Sequence, residues 1–219
     1  MAQIFHPITN VISRVSIVGS VACLALLAWV WSVLLRSPYV TQADVVLDQP
    51  VPFSHKHHVS ELGIDCRFCH FSVEEDAFAG MPTTQTCMTC HSQIHVESEM
   101  LAPVRESYQS GRPMKWNRVN DLPDFVFFNH SIHVNKGIGC ESCHGPVNEM
   151  PLTWQHEAML MEWCLECHRA PEEFIRSRAQ VFDFNLADIQ PVRSGMELVQ
   201  AYGIQRSDHK LTNCSICHR

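Results

Sequence analysis

The pattern of hydrophobic and polar positions divides the chain near residue 36. From Val15 to Leu35 runs a 21-residue stretch without a charge, VSIVGSVACLALLAWVWSVLL, bounded by Arg14 and Arg36. As a helix, that length crosses the hydrocarbon of a bilayer. A cleaved secretory leader has a shorter apolar core with a small-residue cleavage site close behind it, and the nearest candidate here is Thr41-Gln42-Ala43, so the stretch is expected to be retained as an anchor. Trp29 and Trp31 stand where an interfacial belt is expected. Cys23 reads as part of the span rather than a lipid-bearing cysteine, because the apolar run continues past it to Leu35. One arginine at each end leaves the positive-inside rule nearly silent on orientation. Beyond residue 36 the expected structure is short helices joined by long proline-containing loops, with little sheet.

Composition then changes the picture. Hydrophobic residues at 46% against 18% charged exclude a disordered acidic chain. A formal charge of -7 with no basic block argues against nucleic acid as a partner. The unusual residues are 11 Cys and 14 His. Ten of the cysteines fall into five pentapeptides, Cys66-Arg-Phe-Cys69-His70, Cys87-Met-Thr-Cys90-His91, Cys140-Glu-Ser-Cys143-His144, Cys164-Leu-Glu-Cys167-His168 and Cys214-Ser-Ile-Cys217-His218. They are motifs 1 to 5 below. Cys-x-x-Cys-His is the spacing of c-type haem attachment: two sulfurs form thioethers with the porphyrin, and the adjacent imidazole is delivered to the iron as proximal ligand. Zinc knuckles and disulfides also use paired cysteines, but neither requires His directly after the second one. The expected cofactor is therefore five covalently bound haems c. Because haem is attached on the outer side of the bacterial inner membrane, the expected location is that membrane, single-pass, with the haem domain periplasmic and the amino terminus cytoplasmic.

The motifs sit in a repeat. First cysteines at 66, 140 and 214 are 74 apart, and Phe53-Ser-His55-Lys-His57-His58-Val59 recurs as Phe128-Asn-His130-Ser-Ile-His133-Val134. Met81-Pro82-x-Thr84 recurs as Met150-Pro151-x-Thr153. Histidines three apart on a helical turn share a face, so each can approach a different iron from one rigid turn. His55, His58, His130 and His133 are thus the expected distal ligands, with His57 a bystander. Five irons need five distal ligands. Met161 is the expected fifth, with Met150, His209 and His95 as rivals; a methionine ligand would raise that haem's potential. No residue is expected to be catalytic.

The Phe-x-His-x-x-His and Cys-x-x-Cys-His grammar resembles that of class III multihaem cytochromes c. The whole arrangement is similar to the pentahaem cytochrome c subunit of bacterial alternative complex III, on the single amino-terminal span, the His55 and His58 pair, the segment Leu122-Pro-Asp-Phe-Val-Phe-Phe-Asn-His-Ser-Ile-His-Val134, residues Gly145 to Met150, and the terminal Cys-x-x-Cys-His-Arg. This resemblance implies an electron-relay subunit of a quinol-oxidising complex. Its implied partners are an iron-sulfur subunit, integral membrane subunits and another cytochrome c, with a soluble periplasmic cytochrome c or a terminal oxidase as acceptor. A stand-alone membrane-anchored quinol dehydrogenase feeding periplasmic reductases is the alternative, disfavoured by the long stretch from Ser37 to Asp65 between span and first motif.

The expected fold is mainly α with extensive loops, class III-like, its core formed by the haems, since five of them in residues 66–218 leave little room for another. The expected organisation is 1–14 as cytoplasmic terminus, 15–36 as transmembrane helix, 37–50 as linker, 51–125 and 126–170 as two-haem units, 171–208 as a haem-free docking segment and 209–219 as the fifth attachment site.

Overall fold

The computed structural model describes residues 4–185, 194–205 and 207–218. The chain forms two compact units, one ending at Gln42 and one beginning at Ala43. The first is dominated by helix α1 (Ile8–Arg36), whose best 18-residue window has a mean hydropathy of 2.3 and which buries no residue. It is one helix long and apolar enough to cross a membrane. The helix begins seven residues before the charge-free run. Pro7 stands at its N-cap and the Thr9 hydroxyl donates to the His6 carbonyl. Arg14 therefore lies on the helix, not in a preceding tail: hydropathy marks only the apolar stretch, whereas hydrogen bonding fixes where the helix starts. After Ser37 comes a single turn, α2 (Pro38–Thr41), closed by Gln42 in the left-handed region.

The second unit is built of short helices. All five motifs lie on them: α3 (Cys66–Cys69), α4 (Thr84–His91), α7 (Glu141–His144), α8 (Met161–Arg169) and α10 (Cys214–Cys217). Between them stand α5 (Ala102–Ser110), α6 (His130–Asn135) and α9 (Gly195–Ala201). There is no sheet among the described residues, only isolated bridges such as Val126 with His218 and Ile138 with Ile175. The local sequence explains several starts. Asp65, Asn129 and Asn213 cap α3, α6 and α10 by accepting from backbone N–H groups, and Ser194 with Glu197 makes a full capping box on α9. The two histidine turns differ. His130 and His133 lie on α6, whereas His55 opens a wide turn over Lys56–Glu61 in which Leu62 N–H reaches back to the His57 carbonyl. Such wide turns favour functional sites, and the sequence pattern does not separate them from an α turn.

Polypeptide packing is sparse. Ten hydrophobic residues of the described chain are buried, and only Met150 and Val181 are large and fully enclosed. One cluster joins Val73, Val134 and Val181 with Cys140 and Phe182; another joins Ile175, Leu198 and Val199 with Ile138 and Tyr202. Residues 171–185 and 194–205 thus contribute Ile175, Val181, Leu198 and Val199 to the packed body. Arg176 clamps this stretch down. Its guanidinium pairs with Glu141 and donates to the carbonyls of Val181 and Asp183 at 3.0 and 3.1 Å, while its backbone N–H meets the Gly137 carbonyl at 2.8 Å. Gly137, at φ +85°, is required there: a Cβ would come within 2.3 Å of the Arg176 carbonyl oxygen.

Candidate cofactor site

The repeat seen in the sequence becomes a repeated piece of geometry. Phe53 stacks on His58 at 4.5 Å and meets His55 edge-on at 4.9 Å; Phe128 stacks on His133 at 4.4 Å and meets His130 edge-on at 4.8 Å. Each phenylalanine holds its two imidazoles nearly perpendicular, so the pair is aimed at two different places. The Nδ1 of His58 donates to the Ser54 carbonyl at 2.8 Å, and that of His133 to the Asn129 carbonyl at 2.7 Å, both four residues back.

The outer member of each pair is held from the other half. His55 Nδ1 lies 3.0 Å from the Thr153 hydroxyl, and Lys56 N–H donates to the Met150 carbonyl; His130 Nδ1 donates to the Ala77 carbonyl at 2.9 Å. The Met-Pro-x-Thr echo thus carries a positioning group, Thr153, and the two halves interlock through it.

Four further imidazoles repeat the arrangement. Nδ1 of His70, His91, His168 and His218 donates to the carbonyls of Gly80, Ile94, Leu211 and Phe125, at 2.8, 3.4, 2.7 and 3.2 Å. A carbonyl can only accept, so Nδ1 of each of these rings carries a proton, and in the neutral ring the lone pair is then on Nε2. This tautomer is the one a metal-ligating histidine needs, with the carbonyl orienting the ring.

The rings also face one another in pairs. Centroids are 6.3 Å apart for His58 and His91, 6.4 Å for His130 and His144, and 6.2 Å for His133 and His168. Two imidazoles on opposite sides of one metal, each with a bond of ~2 Å and half a ring beyond it, stand just over ~6 Å apart. Burial, with His70 beside it, pulls the His55 imidazole down to about 4, and burial beside His130 does the same to His144. Both are neutral at neutral pH, as ligands must be.

The sulfurs suit the same group. The two cysteines of each motif stand on or beside one short helical turn, and burial pushes Cys140 and Cys143 up to about 12 and Cys167 to about 11. Phe68, Phe71, Phe125 and Phe127 stand exposed beside motifs 1 and 5. Among the described residues, no three His, Cys, Asp or Glu converge as a bare metal site would require. Facing imidazoles with free Nε2, adjacent thiols and flanking aromatics fit a large flat metallo-ring, and haem c meets that description.

The remaining candidates are scattered. His57 is exposed and paired with Glu61, away from the facing rings. His95, at φ +54°, has its ring 6.3 Å from that of His91 and so belongs to the surroundings of motif 2. Met150 is fully buried beside the His55 turn. Met161 is 62% exposed and opens α8, one turn ahead of Cys164. The side chain of His209 lies outside the described ones. The sequence reading missed Thr153, Ser54, Ala77 and Asn129 as positioning groups; of these only Thr153 left a trace, in the repeated Met-Pro-x-Thr.

Two family models match the chain: that of cytochrome c7 and related cytochromes c over residues 126–219, and that of the class III cytochrome c family over residues 36–114. The multihaem cytochrome c subunit of menaquinone reductase from Nitratidesulfovibrio vulgaris is 41% identical over 98 residues, which are 44% of this chain and 46% of that one. The chain thus spans less than half the length of that relative.

Proposed function

We propose that this chain, whose parts match the cytochrome c7 and class III cytochrome c family models and which has one helix long and apolar enough to cross a membrane, is the electron-relay subunit of a quinol-oxidising respiratory complex of the alternative complex III kind, carrying five covalently bound haems c. The carrying observation is the set of facing, Nδ1-anchored imidazoles. Held by these imidazoles, haem c would supply one-electron transfer.

In this reading Cys66, Cys69, Cys87, Cys90, Cys140, Cys143, Cys164, Cys167, Cys214 and Cys217 attach the haems. His70, His91, His144, His168 and His218 are proximal ligands, and His55, His58, His130 and His133 the distal ligands of motifs 1 to 4. Met161 completes motif 5: it opens α8 one turn before Cys164, and α8 packs on the turn over Ser207–Thr212 that leads into motif 5. Methionine here makes motif 5 the high-potential member. Met161→Ala is expected to convert one low-spin EPR signal in five to a high-spin signal that binds carbon monoxide, leaving the other four unchanged; five unchanged signals would remove Met161 from the ligand set.

Quinol linkage is supported by the relative, whose name is that of a menaquinone reductase subunit. Haem attachment on the outer face puts residues after Arg36 in the periplasm and the amino terminus in the cytoplasm, with α1 as anchor. Partners in this reading are an iron-sulfur subunit and integral membrane subunits. At a formal charge of -7, the domain attracts a cationic acceptor cytochrome, a terminal oxidase being the other acceptor class. The test is purification from membranes in mild detergent. Copurification with an iron-sulfur protein and large membrane subunits is expected, whereas a lone chain that passes electrons from quinol to periplasmic reductases would replace this reading with the stand-alone dehydrogenase.

A further inference from the structure

The chain order of the motifs is not their order in space. We infer that the five attachment motifs form a line running 2, 1, 3, 4, 5, so that motif 1, first in the sequence, is interior and motifs 2 and 5 are the two ends. The inference rests on the five-haem reading above and adds to it a spatial order.

Each link in the line is a contact between named groups. Motifs 2 and 1 are joined by the turn that carries His58, whose ring lies 6.3 Å from that of His91 in motif 2; the same turn runs straight into α3 of motif 1, with Ile64 N–H donating to the His58 carbonyl at 3.0 Å just ahead of the Asp65 cap.

Motifs 1 and 3 are joined across the interlock of the two halves. Val73, three residues beyond His70, packs with Cys140 of motif 3, and His130, facing His144 of motif 3, is oriented by Ala77 from the loop after motif 1. Motifs 3 and 4 share α6: His130 faces His144 at 6.4 Å and His133 faces His168 at 6.2 Å, from one rigid turn. Motifs 4 and 5 are joined where His168 Nδ1 donates at 2.7 Å to Leu211, three residues ahead of Cys214.

The duplication explains the order. Each two-haem unit has a proximal-first motif reached by the outer histidine (His55, His130) and a second motif reached by the inner one (His58, His133). The outer histidines are the ones held from the opposite half, by Thr153 and Ala77. The two units therefore meet through motifs 1 and 3, which turns motif 2 outward. The fifth motif, appended after the second unit, extends the line from motif 4 because the turn over Ser207–Thr212 packs on α8. A redox partner can then reach the line at α4 or at α10 without passing another motif.

The test is an electron cryomicroscopy map of the full-length chain purified from membranes, in which each iron is assigned to its motif through the thioether links. The expected result is that the nearest iron to that of motif 2 belongs to motif 1, the nearest to that of motif 5 belongs to motif 4, and the irons of motifs 1 and 3 are neighbours. A sequential order, with the motif 2 iron between those of motifs 1 and 3, overturns the inference while leaving the functional reading intact. Fewer than five irons overturns that reading and the line with it.

Discussion

Replacing Cys140 and Cys143 together by alanine is expected to abolish accumulation of folded protein, whereas the same change at Cys87 and Cys90 should leave a folded chain with one haem fewer. The difference lies in what surrounds each motif. Cys140 belongs to the buried Val73, Val134 and Val181 cluster, Cys143 is deep enough for its thiol to be pushed up to about 12, and His144 is held down to about 4 by burial. Cys90, by contrast, is exposed, and α4 packs mainly on α5. With so few buried hydrophobic side chains, the attached group at motif 3 supplies a large share of the apolar burial. A face of ~300 Å² at ~25 cal/mol per Å² contributes about 7 kcal/mol, comparable to the whole stability of an ordinary domain, ~5–15 kcal/mol. Haem-stained gels with limited proteolysis check this. Equal protease resistance of the two double variants would contradict it.

Arg176→Met is expected to lower stability by about 3–5 kcal/mol, read as a shift in the urea midpoint followed by visible absorption. The Arg176 and Glu141 side chains are 11% and 16% exposed, so removing the cation strands a carboxylate in a dry setting. The same substitution also removes the donors to the Val181 and Asp183 carbonyls. These contacts hold residues 176–183 against motif 3, because Gly139 leaves no room beside the guanidinium for a side chain. The double variant Arg176→Met, Glu141→Leu should recover a good part of the loss, since two apolar groups replace an ion pair without leaving a lone charge. A double variant less stable than either single one would show that the pair acts through something other than charge burial.

Much of the site was legible because haem attachment is a covalent constraint with fixed spacing. Cys-x-x-Cys-His and the recurring Phe-x-His-x-x-His need no tertiary information to be seen, and the mainly helical, sheet-poor fold follows from them. The partners of those histidines were not legible. Thr153 lies 98 residues from His55 and Ala77 lies 53 from His130, and no local pattern announces a contact of that span. The wide turn over Lys56–Glu61 depends on where Ile64 and Leu62 find their acceptors, which the pattern Phe-x-His-x-x-His does not specify. Residues 171–208 carry no cysteine and read as a docking segment; Ile175 and Leu198 are buried because they pack with Val199 and Tyr202 of the same segment and with Ile138 from outside it, a complementarity visible only once the chain is folded. The start of α1 at Ile8 escaped for a simpler reason, since hydropathy marks the apolar stretch and not the first helical hydrogen bond.

The central claim is that this polypeptide carries iron porphyrin on every one of its five pentapeptides. It is tested most directly by the intact mass of the denatured, purified chain together with pyridine haemochrome absorbance per mole of protein. The expected result is a mass increase of five haems that survives denaturation, with haemochrome bands in the same ratio. A chain at its bare mass of 25.0 kDa, or one whose pigment is released by denaturant, would contradict it.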